Sequence, residues 1–133
     1  MIDILVACAA TAATFLIADL LWIGVVARSF YRRRLARWLA ERINRGAALL
    51  FYALYVVGIV VLAVGPALQA GSLQSAAGRG ALLGLVAYGT YNLTNLATVR
   101  DWPPAVAVVD LGWGTAVTTA AAVAGFLAVR ALG

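Results

Sequence analysis

The stretch that decides the fold is 47-AALLFYALYVVGIVVLAVGPAL-68, which contains no ionisable acid or base. A run of this length rises roughly 33 Å as a helix, enough to cross a hydrocarbon core about 30 Å thick. The rest of the chain follows the same pattern. It has 133 residues, of which 65% are hydrophobic and 11% charged. A soluble domain this small cannot hide so much apolar surface. The apolar runs predict an all-α, four-helix transmembrane bundle. Its helices should cover about 3–28, 47–70, 77–99 and 104–130, within one integral membrane domain spanning 1–133.

The first run differs from a secretory leader because its basic cluster follows the apolar stretch instead of preceding it. Cys8 is the single cysteine and reads as a small buried apolar residue. There is no histidine. That excludes Ser-His-Asp chemistry, histidine proton relays and histidine metal sites, and no metal or cofactor is expected.

All basic residues are arginines, and they are unevenly placed. Arg28, Arg32, Arg33, Arg34, Arg37, Arg42 and Arg45 lie between the first two apolar runs, and Arg100 lies between the third and fourth. Only Arg79 and Arg130 belong to the other side. The bias places the arginine-rich loop in the cytoplasm and both termini outside. The net charge of +5 then points to anionic lipid headgroups, met by Arg32, Arg33, Arg34 and Arg37, and not to nucleic acid. Residues 29–46 read as a short amphipathic helix on the membrane surface. Tyr31, Leu35, Trp38, Leu39 and Ile43 fall on one arc, and Arg33, Arg34, Arg37, Glu41 and Arg45 on another. Phe51, Tyr52 and Tyr55 read as an interfacial aromatic belt. Pro66 marks a kink, and Pro103-Pro104 separates the last two helices.

Against this background, one small pattern recurs: 19-DLLWIG-24, 92-NLTNLA-97 and 110-DLGWGT-115. Asp19 precedes Arg28 by nine residues, Asn92 precedes Arg100 by eight, and Asp110 follows Trp102 by eight, each about 12–14 Å along a helix. The three patterns therefore share one depth. Asn95 lies a turn nearer the arginine-rich end. Gly80, Gly84, Tyr88, Tyr91, Asn92, Asn95 and Thr98 share a face of the third helix. Asp110, Gly114, Thr118, Ala121 and Gly125 share a face of the fourth. Polar groups do not face lipid cheaply, so both stripes should point inward or to a neighbouring subunit. The expectation is one buried cluster of Asp19, Asn92, Asn95 and Asp110, bordered by Tyr88, Tyr91, Trp22 and Trp113. With no arginine in that layer, the two acids should share a proton and hydrogen-bond to one another or to an amide carbonyl.

The segments 18-ADLLWIGVVARSFYRRRL-35, 49-LLFYALYVVGIVVL-62, 87-AYGTYNLTNLATVRDWP-103 and 108-VVDLGWGT-115 resemble a family of bacterial membrane proteins, domain of unknown function 2177. The resemblance covers nearly the whole chain. It implies a four-helix protein of the bacterial inner membrane, with an Asp in relatives at the position of Asn92, and it brings no activity, cofactor or substrate.

Three functions fit these residues. The first is binding or transport of a small molecule, lipid or proton at the Asp/Asn cluster. A complete pathway would need a homo-oligomer or a larger complex, because four helices are few. The second is a structural or accessory subunit of a membrane complex. The third is a lipid-modifying enzyme with Asp19 and Asp110 as acid and base, which lacks any dedicated nucleophile.

Overall fold

The computed structural model describes residues 1–133 and is helical throughout. Four long helical runs pack side by side. The first is α1 (Ile2–Leu21), continued by a π-helical turn over Trp22–Val26. A break at Ala27 leads into the short α2 (Arg28–Leu35). The second run is α3 (Arg45–Ile59), a π turn over Val60–Val64, and α4 (Gly65–Ala70). The third is α5 (Leu73–Thr98) and the fourth α6 (Pro104–Leu132).

The boundaries follow local chemistry. Asn44 and Ser72 cap α3 and α5 by accepting from the backbone N–H groups of Ala47 and Ser75, each at 3.0 Å. Pro104 occupies the first turn of α6, where a missing N–H costs nothing. Pro66 does not end its helix. The π turn just before it widens the backbone where the proline ring would press on the carbonyl four residues earlier. Thr98, Thr115 and Thr119 bond back to the carbonyls of Thr94, Leu111 and Thr115, so their hydroxyls are satisfied within their own helices.

Three runs, Ile2–Val26, Arg45–Ala70 and Pro104–Leu132, are long and apolar enough to cross a membrane. The fourth expected span, 77–99, falls within α5 and is not among these three. At 26 residues α5 is long enough, but Gln74, Ser75, Arg79, Asn92 and Asn95 make it less apolar than the others. It nevertheless packs intimately against α6. Gly84 is the point of closest approach: a Cβ there would come within 2.9 Å of the Thr115 Cα, so only glycine lets the two backbones meet.

The expected amphipathic helix over 29–46 is also corrected. The helix covers only Arg28–Leu35, followed by a turn at 36–38 and irregular chain to Asn44. Leu39 and Ile43, assigned to its apolar face, lie in the irregular stretch beyond the helix. The physical reason is that the Asn44 cap starts a new helix at Arg45.

Two interactions tie the loops at one end together. Arg37 pairs with Asp101 at 3.1 Å, and Trp38 packs against Trp102 with ring centroids 5.5 Å apart. Asp101 holds a φ of 60°, a left-handed conformation that Asp tolerates better than most residues. The arginine-rich loop and the Arg100 loop thus occupy the same end of the molecule. Arg130 lies at the other end, beside Gly71.

Candidate functional site: a cavity with two carboxylates

α1 delivers Asp19 to the interior, where it is 5% exposed. Both its oxygens are occupied: Trp113 Nε1 on α6 donates to Oδ1 at 3.1 Å, and the Tyr52 hydroxyl on α3 donates to Oδ2 at 2.8 Å. α6 delivers Asp110. The Tyr31 hydroxyl on α2 donates to its Oδ1 at 2.9 Å, and Asn92 Nδ2 on α5 donates to its Oδ2 at 2.7 Å. Each carboxylate therefore joins three helical segments and accepts two bonds from neutral donors. No arginine reaches either one; the Arg37–Asp101 pair is the single ion pair and lies at the surface.

A chain of aromatic contacts links the two acids. Trp113 stacks on Trp22, with centroids 4.4 Å apart and planes 4° from parallel. Trp22 Nε1 donates to the Tyr31 hydroxyl at 3.0 Å, and that hydroxyl donates to Asp110. Trp22 has its place in the π turn after α1. Burial holds the Tyr31 phenol well above its ordinary pKa, and the nearby Asp110 charge adds to this.

Both acids line one cavity of about 440 Å³. Phe51, Tyr52 and Tyr55 of α3 and Ala87, Tyr88 and Tyr91 of α5 form its walls, with Ile23 at one edge. It opens between Ile23, Phe51 and Tyr91, the last of these 57% exposed. The Tyr55 hydroxyl is turned away from the acids to Thr118 Oγ1, 2.8 Å distant. Tyr88 is seated over Gly114, where any β-carbon would overlap its ring.

The structure brings together Asp19, Asp110, Asn92, Trp22, Trp113, Tyr88 and Tyr91. It does not bring Asn95 to the acids: that residue is half-buried one turn away and makes no side-chain bond to either. Nor do Asp19 and Asp110 bond to one another or to an amide carbonyl, the two outcomes the sequence led one to expect: each accepts from its own pair of neutral donors. Asn92 is 1% exposed and gives its two amide protons to the Tyr88 carbonyl and Asp110, leaving its Oδ1 without a donor.

A family model described as a predicted membrane protein, DUF2177, matches residues 4–127. The chain belongs to the DUF2177 family. No curated protein and no solved structure matches it. The DUF2177 match takes in every residue of the cavity and of the aromatic chain behind it.

Sequence reasoning missed the lining residues Ile23, Phe51, Tyr52, Tyr55 and Ala87 of this DUF2177 site, and Tyr31 behind it. Tyr52 and Tyr55 were assigned to an interfacial belt. Tyr52 nevertheless follows Arg45 by seven residues, about 10 Å along a helix, which puts it near the depth of Asp19. Tyr31 was assigned to the apolar arc of a surface helix. No depth count could find it, because the break at Ala27 turns α2 so that its ring returns into the bundle.

Proposed function

We propose that this protein binds a small molecule within the membrane, in the cavity between α1, α3 and α5, with Asp19 and Asp110 as its polar contacts. One observation carries the reading: carboxylates from two different helices line a single cavity, each held by neutral donors and neither paired with a cation. Hydrogen-bonded adhesion between helices needs only amides or hydroxyls. An ionisable group inside an apolar span costs about 2.5–3.5 kcal/mol on insertion scales, so acids are an expensive choice for adhesion alone. A cavity of this size suits a compact organic ligand.

In this reading α5 is the fourth crossing, with Tyr88 and Tyr91 lining the cavity and Asn92 bonded across to α6. The arginine-rich end lies on the cytoplasmic face of the bacterial inner membrane, with both termini opposite. Arg32, Arg33, Arg34 and Arg37 meet anionic headgroups there, each worth about 1 kcal/mol near such a surface. Transport, if the ligand moves, calls for a homo-oligomer or a partner.

Native mass spectrometry of the protein released from lipid nanodiscs tests the reading. The parent should retain a small molecule that the Asp19→Asn/Asp110→Asn double variant loses. Identical spectra for the two, with no retained mass in either, would overturn it.

A further inference from the structure

Resting on that reading, we infer that the cavity is selective for an organic cation: an ammonium group carrying at least one apolar arm. Four features of the site converge on this class.

The first is charge. Two carboxylates face the cavity, and every group bonded to them is neutral: two tyrosine hydroxyls, a tryptophan N–H and an amide. Neutral donors hold a carboxylate in place without cancelling its charge. An incoming ammonium therefore meets two carboxyl groups that no cation has already paired with, in a medium of low dielectric, where attraction between opposite charges is strongest.

The second is the walls. Phe51, Tyr52, Tyr55, Tyr88 and Tyr91 surround the space in front of the acids. The hydroxyls of Tyr52 and Tyr55 are engaged with Asp19 and Thr118, which fixes their rings. Aromatic faces attract cations, most strongly when the cation leaves its water behind.

The third is an orphan acceptor. Asn92 lies behind the cavity lining, bonded to Asp110, with its Oδ1 buried without a donor, so the polar groups around Asp110 are short of hydrogen-bond donors and not of acceptors. An anionic or purely acceptor ligand would worsen that imbalance.

The fourth is the donor set and the volume together. No three His, Cys, Asp or Glu side chains gather to hold a metal ion, whereas hard divalent cations take six or more oxygens. A cavity of about 440 Å³ has room for a hydrocarbon arm as well as a charged head.

The ammonium can belong to a free amphiphile or to a lipid headgroup such as phosphatidylethanolamine, and the experiment separates the two. Equilibrium binding of 2-phenylethylammonium to the protein in phosphatidylglycerol nanodiscs is measured against empty nanodiscs, alongside its uncharged carbon isostere propylbenzene. The cation should bind at least tenfold more tightly than the isostere. Asp19→Asn and Asp110→Asn should each weaken binding about tenfold, with circular dichroism confirming that both remain helical. Adding phosphatidylethanolamine to the nanodiscs should weaken binding if a lipid headgroup is the occupant and leave it unchanged if a free amphiphile is; either result supports a cation site. Equal affinity for cation and isostere overturns the cation inference while leaving a small-molecule cavity standing. Binding of neither probe also overturns it, and the retained-mass experiment then decides the broader reading on its own. The comparison of probes uses the unaltered protein, so it does not depend on any variant folding.

Discussion

The contact between α5 and α6 positions half of the site, and a matched pair of substitutions on α5 measures it. At Gly84 a new β-carbon would stand 2.9 Å from both the Thr115 Cα and the Thr118 Cβ, and closer still to the Gly114 carbonyl oxygen. Most of these neighbours are backbone, so nothing can rotate aside and the helices must separate. At Gly78, on the same helix, a β-carbon would meet nothing within 4 Å. Replacing glycine by alanine inside a helix stabilises it by about 0.5–1 kcal/mol where space allows. Forcing an extra carbon into a close-packed contact costs about 1–3 kcal/mol. Gly78→Ala should therefore be neutral or slightly stabilising. Gly84→Ala should destabilise by a net ~1–2 kcal/mol after the helix-propensity gain is deducted. Reversible unfolding of both variants in mixed micelles reads the difference directly. Gly84→Ala should also loosen the site, because Asn92 lies two turns along α5 and its 2.7 Å bond to Asp110 spans the same interface. Equal stabilities for the two variants would refute the close approach of α5 to α6, and with it the placement of Asn92.

Other predictions address the acids, the loops and the phenol. Asp110→Asn should cost more stability than Asp19→Asn, by about 1–2 kcal/mol in thermal or denaturant unfolding. At position 19 an amide N–H can donate to the Tyr52 oxygen. At position 110 the Tyr31 oxygen already accepts from Trp22, and Asn92 cannot flip while the Tyr88 carbonyl stands 2.9 Å from its Nδ2. Equal losses would count against this bonding pattern. Reporter fusions should place the 36–44 loop in the cytoplasm and the C-terminus outside; the opposite result refutes the proposed orientation. Charge reversal at Arg37 or Asp101 alone should change stability by less than about 1 kcal/mol, because the pair is solvent-exposed, and a larger loss would mean that the loops are more buried than they are here. Burial raises the Tyr31 pKa on folding, so its stabilising contribution is complete below the unfolded value of about 10 and is lost as pH rises beyond it. Tyr31→Phe should accordingly flatten part of the alkaline loss in melting temperature, and an unchanged alkaline profile would show that Tyr31 is not enclosed.

The helices and the depth of the acids were legible because both depend on one-dimensional quantities, apolar run length and residues counted from a charged boundary. Asn92 and Asp110 lie at matching offsets, and they bond. The inward faces were legible for a related reason: Gly80, Gly84 and Asn92 on α5, and Gly114, Thr118, Ala121 and Gly125 on α6, recur at helical spacing and are buried. What was not legible came from breaks in periodicity. The two π turns, the bend at Ala27 and the early end of α2 each reset the rotation of a helix, and a wheel drawn through them misassigns whatever follows. Ile43 was placed on the apolar arc of a surface helix that ends before reaching it, and Tyr31 on the same arc although its hydroxyl reaches Asp110. Asn95 failed differently. It has the right face and nearly the right depth, but one turn is enough to take a short amide out of reach of a carboxylate.

Those same breaks account for how so small a chain can build the site. A straight α1 would carry the residues just after it away from the acids. The π turn at Trp22–Val26 and the bend at Ala27 instead bring Trp22 and Tyr31, nine residues apart, into one hydrogen bond aimed at Asp110. Asp110 thereby gains a donor from the arginine-rich end, while the Trp22–Trp113 stack ties that donor to the tryptophan holding Asp19. The two carboxylates never touch, yet a rigid aromatic pair separates them and sets the orientation of a donor to each. Removing that pair should therefore disturb both acids at once. The double-mutant cycle Trp22→Leu/Trp113→Leu measures this: a coupling energy near 0.5–1.5 kcal/mol is expected for a stacked pair, and strict additivity would mean that the acids are positioned independently.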